Sequence, residues 1–223
     1  VRACNLILQH GRCDLAAIIL TVYSVILFRK GQLLDSIRQA EQAKLLVDSY
    51  TPCREISNCY NAFASSVWQL KGSYSDCVAL NMKGMKLGLE NGEVARAAMN
   101  SCNALFSEMT QGENLQSIQL DAKSAEEFVN KHSAFHPLAN IIRKLATSLI
   151  DTPENGTCAL DDSTFSAETL FKISHSFHFS YLLHYRSLLK FWYGASKDAL
   201  SLSRDAHALR NSFPPNSFVI DHY

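Results

Sequence analysis

The sequence contains few residues that interrupt regular structure, with nine glycines and five prolines among 223 residues. No segment is dominated by glycine, serine, proline or glutamine, which excludes a low-complexity linker. No stretch alternates polar and apolar residues for long enough to indicate a β-strand. Because apolar residues make up 47% of the chain, the shortage of helix breakers and the absence of strand patterns predict an all-α globular protein.

Neither sign of charge is in excess, since 21 Lys and Arg residues balance 21 Asp and Glu residues. Proteins that bind nucleic acid or an anionic membrane usually carry a basic surface. We therefore expect neither partner. The longest uncharged apolar run, Leu15–Phe28, has only fourteen residues, whereas a transmembrane helix needs about 20. We interpret this run as a buried helix.

Motifs of catalytic sites are also absent. The chain has no Gly-x-x-x-x-Gly-Lys-Ser/Thr phosphate loop, no Gly-x-Ser-x-Gly elbow, no set of kinase motifs and no Cys-x-x-Cys. We expect no catalytic residue, metal or cofactor in this segment. Its cysteines are odd in number and widely spaced: Cys4, Cys13, Cys53, Cys59, Cys77, Cys102 and Cys158. Such usage predicts buried thiols, no disulfide framework and a cytoplasmic location.

Four of the glycines recur at a regular distance. Gly31, Gly72, Gly112 and Gly194 each follow one helix-like apolar run and precede another, as in "VILFRKGQLLDSIRQAEQAKLL". Their separations of 41, 40 and 82 residues fit one period near 40, with one copy missing near residue 153. A fixed period of this size is typical of stacked helical repeats. The pattern predicts that these glycines are the turns of helix-turn-helix units.

The predicted units form one helical-repeat segment spanning residues 1–223. We expect it to belong to a longer protein, because Val1 is not a natural first residue. The repeats are predicted at about 12–48, 54–89, 93–131, 136–173 and 176–212. In the second repeat, the first helix is predicted to span 54–70. In the fourth, Asp151–Thr164 is predicted to be a surface loop, followed by a short helix over 166–173.

Small residues mark the second helices of three units. Ala43, Gly84 and Ala206 each lie twelve residues after a turn glycine. We expect them to let a second helix approach the first helix of the next unit. Stacking helix pairs buries an apolar face that no pair can hide alone. The sequence therefore predicts a right-handed α-solenoid of about five repeats.

The pattern resembles tetratricopeptide repeats, although those usually have 34 residues. Most of the chain is more similar to the helical-repeat region that follows the ATPase module in multi-sensor hybrid histidine kinases and related serine/threonine signalling kinases. The passages that carry this resemblance are "HGRCDLAAIILTVYSVILFRKGQLLDSIRQAEQAKLL", "GMKLGLENGEVARAAMNSCNALF", "IIRKLATSLIDTPENGTCALDDSTFSAETL" and "YLLHYRSLLKFWYGASKDALSLSRDA". The resemblance implies a non-catalytic regulatory module that contacts proteins or neighbouring domains and is coupled to an adjoining ATPase. It implies no functional residues.

A second hypothesis is a metal- or ligand-binding segment between residues 132 and 184. This region combines aromatic residues with five histidines: His132, His136, His175, His178 and His184. His175 and His178 are three residues apart, a spacing that places two ligands on one helix face. However, no His-Glu-x-x-His motif is present, and no cysteine or carboxylate stands at a supporting distance. We favour histidines packed among aromatic residues.

One further histidine lies in "HALRNSFP", which partly resembles the phosphoacceptor motif of histidine kinases. In that motif an acidic residue follows the histidine and can accept a proton from the imidazole. Here Ala208 follows His207 instead. We therefore interpret His207 as a structural residue of the last repeat.

Overall fold

The computed structural model describes residues 2–10, 15–49, 55–132, 137–151, 160 and 176–209. Over these residues it contains ten α-helices, a 3-10 helix at Trp68–Leu70, 3-10 geometry at Leu160 and no strand, which confirms the all-α prediction. The helices are α1 (Arg2–His10), α2 (Ala16–Arg29), α3 (Leu33–Ser49), α4 (Ile56–Ser66), α5 (Tyr74–Glu90), α6 (Val94–Gln111), α7 (Leu115–Lys131), α8 (Leu138–Ile150), α9 (Ser176–Trp192) and α10 (Ser196–Ala208).

Contacts divide the chain into two compact units, of which the first contains α1 to α6 and the second α7 to α10. In the first unit, α2 packs along α3, α4 along α5 and α5 along α6, while α4 also contacts α2, α3 and α6. In the second unit, α9 packs along α10 and contacts α8. A single continuous repeat segment therefore stays a prediction. Of the predicted surface loop at 151–164, only Asp151 and Leu160 are described. Asp151 is exposed, but Leu160 is fully buried, so the prediction of a surface loop is wrong at Leu160. The predicted helix at 166–173 lies outside the described residues.

Glycines in the left-handed conformation end several helices. Gly31, Gly92, Gly112 and Gly194 have φ values of 75°, 73°, 82° and 81°. Glycine adopts this region without steric cost. After three of these glycines, the next backbone N–H donates to the carbonyl five residues earlier, from Gln32 to Leu27, Glu93 to Gly88 and Ala195 to Lys190. This capping bond is common where a helix ends at a left-handed glycine.

The predicted helix over 54–70 is wrong at its C-terminal end, and α1 was not predicted at all. α4 ends at Ser66, because Val67 departs from helical geometry at φ −124° and ψ −41°. A 3-10 helix, Trp68–Leu70, follows. The break buries Val67 and places the Trp68 ring 5.1 Å from the ring of Phe63, measured between centroids. Packing of these apolar side chains explains why the helix stops early.

The second helices of the pairs bury residues in one shared register. Counted from the first helical residue, α3, α5 and α7 each bury the residues 3, 7, 10 and 14 positions later. In α10, Ala199 and Ala206 occupy the first and third of these positions. This spacing forms a single stripe along one helix face. The full sets are Ser36, Ala40, Ala43 and Val47; Cys77, Asn81, Gly84 and Gly88; and Ile118, Ala122, Ala125 and Val129.

The first helices bury a larger share of their surface. Eight of the 11 residues of α4 and eight of the 13 residues of α8 are buried. Helices buried on several sides carry most of a core, whereas helices with one buried stripe form its outer layer. Within each unit the first helices therefore supply most of the apolar interior.

A hydrogen bond recurs at the same place in the first and last helix pairs. The Ser36 hydroxyl donates to the carbonyl oxygen of Ser24 at 2.7 Å, joining α3 to α2. The Ser187 hydroxyl donates to the carbonyl oxygen of Ala199 at 2.8 Å, joining α9 to α10. Both bonds connect the positions seven residues before and five residues after the turn glycine. The two pairs are thus joined at equivalent positions, although the donor serine lies on the second helix of the first pair and on the first helix of the last pair.

Candidate functional site

The carboxylate of Asp48, near the end of α3, connects three helices of the first unit. Its Oδ1 accepts a 2.6 Å hydrogen bond from the Tyr60 hydroxyl of α4 and a 3.1 Å bond from Lys83 Nζ of α5. Its Oδ2 accepts a 2.5 Å bond from Lys44 Nζ. Lys83 Nζ also lies 4.7 Å from the centroid of the Tyr60 ring, a cation–π arrangement.

Asp48, Tyr60 and Lys83 each keep one protonation state at neutral pH. Burial raises the pKa of Asp48, but the hydrogen bonds from Lys44, Tyr60 and Lys83 outweigh it and lower this pKa to about 2. Burial, followed by the bond to Asp48, raises the pKa of Tyr60. The hydrogen bond with Tyr60 raises the pKa of Lys83. None of these three groups therefore titrates near neutrality, where a general acid or base must exchange its proton.

A narrow depression lies beside the cluster. It is bordered by Thr21, Lys44, Val47, Cys59, Tyr60 and Phe63, and it has no room for a water molecule. Ligand pockets usually enclose about 300–1,000 Å³. The depression is far smaller than such a pocket, and the hydrogen bonds of the cluster join α3, α4 and α5.

A second polar network is buried where α4, α5 and α6 meet. Asn100 Nδ2 donates to the carbonyl oxygen and the hydroxyl of Ser57, both at 3.1 Å. The Ser57 hydroxyl in turn donates to the carbonyl oxygen of Gly84 at 2.9 Å. Asn100 Oδ1 is buried without a hydrogen-bond partner. A buried acceptor without a hydrogen bond lowers the stability of the fold. Close packing around this network must therefore compensate for the loss.

Four described cysteines, Cys4, Cys59, Cys77 and Cys102, are buried thiols. The other three lie outside the described residues. Burial, with a smaller contribution from the charge of Asp76, raises the pKa of Cys77 to about 12. The thiolate is the nucleophilic form of cysteine. Cys77 is therefore protonated, and unreactive, at neutral pH.

The histidines of the second hypothesis are only partly described. His132 follows α7 and is exposed, whereas His184 is half-buried in α9 with its ring centroid 5.6 Å from that of Tyr185. His136, His175 and the side chain of His178 lie outside the described residues. In the described part of the chain, no three His, Cys, Asp or Glu side chains form a group that could hold a metal.

The seven residues singled out by the sequence occupy turns and the buried stripe. Gly31, Gly72, Gly112 and Gly194 each lie between two helices. Ala43, Gly84 and Ala206 are buried at the same position of their helices, ten residues after the first. A Cβ built on Gly84 would lie 2.4 Å from Asn100 Oδ1 of α6 and 2.9 Å from Tyr60 Cβ of α4. Gly84 therefore permits close contact with both neighbouring helices.

Sequence reasoning missed the residues of both polar networks. Tyr60, Lys83 and Asn100 bond to partners 12 to 43 positions away. No local spacing marks such pairs. Asp48 and Lys44 are the exception, because a carboxylate and an ammonium four residues apart face each other on a helix.

One face of α2 is exposed, although the other residues of 16–28 are buried or half-buried, so the prediction of a buried helix is correct only for the other faces. Leu15 is 51% exposed, Val22 48% and Ile26 36%, and Ile19 between them is half-buried. These residues, 15, 19, 22 and 26, form one stripe along the helix, which we call the α2 face. None of the described helices combines the length and apolar character needed to cross a membrane.

Comparisons with models of protein families, with characterised proteins and with solved structures give no match to this chain.

Proposed function

We propose that the chain is a non-catalytic scaffold, a right-handed α-solenoid of about five helix pairs that binds proteins or neighbouring domains. The shared register of buried residues in α3, α5, α7 and α10 carries this proposal. A constant register is what repeated packing of equivalent helix pairs requires. The repeated serine bonds in the first and last pairs add to it.

The chemistry of the polar networks favours a scaffold over an enzyme. The Asp48 carboxylate is already paired with two lysines and accepts a hydrogen bond from the Tyr60 hydroxyl. The buried amide of Asn100 is used to join helices. An enzyme instead leaves its reactive groups open to a substrate in a concave pocket.

We further propose that the scaffold regulates a signalling kinase, by coupling states of adjoining domains through the stacked helices. This part rests only on the resemblance of four passages of the sequence to the repeat region that follows the ATPase module of such kinases. ATP binding needs backbone donors around the phosphates, a phosphate-facing lysine and a magnesium ligand. The sequence supplies no such loop. We therefore expect the chain neither to bind ATP nor to phosphorylate itself on His207.

Two measurements test this function. Calorimetric titration of the purified chain with Mg-ATP should give no binding, and micromolar affinity would contradict the scaffold. In the full-length parent protein, Gly84→Ala should change kinase output, because it disturbs packing between helices and touches no catalytic residue. Ser201→Ala, at an exposed position of α10, is the matched control. Unchanged output in a Gly84 variant that is measurably destabilised would contradict the coupling.

A further inference from the structure

We propose that Asn91 is a site of spontaneous deamidation, at which the backbone nitrogen of Gly92 attacks the side-chain amide and leaves isoaspartate and aspartate in the turn between α5 and α6. Asparagine is one of the chemically labile residue types. The modification needs neither an enzyme nor a cofactor, and it does not depend on the proposed function.

The turn after α5 presents the reacting groups to solvent. Asn91 directly follows the helix, and both Asn91 and Gly92 are exposed. Gly92 has no side chain to shield its nitrogen, and a Cβ built there would meet nothing within 4 Å. Among the asparagines in the described ranges, Asn91 is the one that precedes a glycine, since the Asn-Gly pair at 155–156 lies outside those ranges. Sequence and exposure therefore mark the same residue.

The reaction balances with water as its only co-reactant. The Gly92 nitrogen bonds to Asn91 Cγ, the bond from Cγ to Nδ2 breaks, and Nδ2 leaves as ammonia with the proton from Gly92. The product is a five-membered succinimide ring. Water then opens this ring at one of its two carbonyl carbons. Opening at Cγ gives aspartate, and opening at the backbone carbon gives isoaspartate, in which the main chain runs through Cγ.

Hydrogen bonds at the end of α5 control the rate of ring closure. Asn91 Nδ2 donates to the carbonyl oxygen of Leu87 at 2.8 Å, and the Gly92 N–H donates to that of Leu89 at 3.2 Å. Ring closure requires rotation about the Asn91 Cα–C bond, whose ψ is 5°, and this rotation breaks the bond from Gly92. Helix ends open far more easily than a core does. The turn therefore slows the reaction without preventing it.

A third hydrogen bond closes the turn, from the Glu93 N–H to the carbonyl oxygen of Gly88 at 2.7 Å. We expect the three bonds together to make deamidation about tenfold to a hundredfold slower in the folded chain than in a synthetic peptide of residues 87–98, because each bond adds a modest cost to opening. In 8 M urea the chain should react as fast as the peptide.

The test incubates the folded chain at pH 8 and follows the tryptic peptide of residues 87–96 by mass spectrometry. Electron-transfer fragmentation distinguishes isoaspartate from aspartate. Both should accumulate at Asn91. Isoaspartate is the signature of the succinimide ring, since direct hydrolysis of the side-chain amide gives aspartate alone. In the synthetic peptide, Gly92→Ala should slow the reaction several-fold, because the added methyl group hinders the attacking nitrogen.

Asn114 is the matched control within the same chain. It is also exposed in a turn, but Leu115 follows it, and the leucine side chain hinders the backbone nitrogen. Asn114 Oδ1 also accepts hydrogen bonds from the N–H groups of Gln116 and Ser117, at 2.9 and 3.3 Å. Asn114 should therefore remain unmodified over the same time.

Deamidation should weaken the end of α5. A carboxylate at position 91 cannot donate to Leu87, and it adds negative charge beside Glu90 at the helix end where the dipole is already negative. Asn91→Asp, which reproduces this charge, should therefore lower the urea midpoint of unfolding. Asn114→Asp makes the same chemical change at the N-cap of α7, where a carboxylate is favoured. It should leave the midpoint unchanged or raise it.

Four results would overturn the proposal. One is no isoaspartate at Asn91 in the folded chain after about ten half-lives of the peptide, since even a hundredfold slowing leaves a detectable fraction modified by then. The second is aspartate without isoaspartate, which would exclude attack by Gly92. The third is equal modification of Asn91 and Asn114. The fourth is an unchanged urea midpoint in Asn91→Asp, which would mean that the modification does not weaken α5.

Discussion

The indole ring of Trp68 fills the space that a side chain on Gly72 would need. A Cβ built on Gly72 would lie 2.2 Å from Trp68 Nε1. At Gly31 and Gly194 a Cβ would meet nothing within 4 Å, but both have positive φ. Glycine is therefore required at position 72 because of the contact with Trp68, and at positions 31 and 194 because of the backbone conformation.

We predict that Gly72→Ala lowers the free energy of unfolding by about 1–3 kcal/mol, because the added methyl group displaces the indole. Trp68→Leu should remove most of this penalty, so the two changes should not be additive. Urea denaturation of both single variants and the double variant measures the coupling. Gly31→Ala is the control, since its cost comes from backbone strain and should be the same with Leu at position 68. Additive losses at positions 68 and 72 would contradict the steric explanation.

We predict that Gly84→Ala lowers the free energy of unfolding by about 1–3 kcal/mol, since its Cβ would overlap Asn100 and Tyr60. Gly lowers helix stability relative to Ala by about 1 kcal/mol, so loss of stability on this change must come from packing. Met82→Ala, at a half-exposed position of the same helix, is the comparison. Stabilisation by Gly84→Ala in urea denaturation would show that the neighbouring helices move apart freely.

The depressed pKa of Asp48 predicts a pH dependence of stability. The pKa in the folded chain, about 2, is below the value of 3.8 in the absence of interactions. The contribution is therefore fully present above about pH 5 and is lost as the pH falls towards 2. The Asp48 side chain remains one-third exposed, so we expect only roughly 1 kcal/mol after solvent screening.

The measurement is urea denaturation at pH 6 and pH 3 for the wild type and Asp48→Asn. The variant should lose stability at pH 6 and show a smaller difference between the two pH values. Asp35→Asn removes an exposed carboxylate that lies 3.8 Å from Arg38 and serves as the control. If Asp48→Asn leaves the acid-range slope unchanged, the cluster does not stabilise the fold.

Cys77 should resist alkylation in the folded chain. Its pKa of about 12 and its burial leave almost no accessible thiolate at pH 8. Iodoacetamide treatment followed by peptide mass spectrometry should show little modification at Cys77 in buffer and complete modification in 8 M urea. Rapid alkylation without denaturant would mean that α5 opens readily.

Helix pairs and turns could be predicted because they depend on local spacing. The period of about 40 residues located Gly31, Gly112 and Gly194, and the predicted end of the second repeat at residue 89 lies one residue before the end of α5 at Glu90. The early end of α4 could not be predicted. It depends on packing of Trp68 against Phe63 and Gly72, and helix periodicity continues through Leu70.

The polar networks could not be predicted for a related reason. Tyr60 meets Lys83 only after α4 and α5 have packed together, and nothing in the sequence ties a given tyrosine to a given lysine 23 positions away. The exposed face of α2 could not be predicted either. An uncharged apolar helix has the same sequence pattern whether all of its sides are covered or one side is exposed.

In the first unit, helices that are neighbours in the sequence are also packed against each other, which affects how the protein folds. Each of its helices contacts mainly the next one or two along the chain, so the average loop that must close is short. Low contact order favours folding within milliseconds or less. At a synthesis rate of about 5–20 residues per second, α2 and α3 can therefore pack against each other on the ribosome before α6 has been translated.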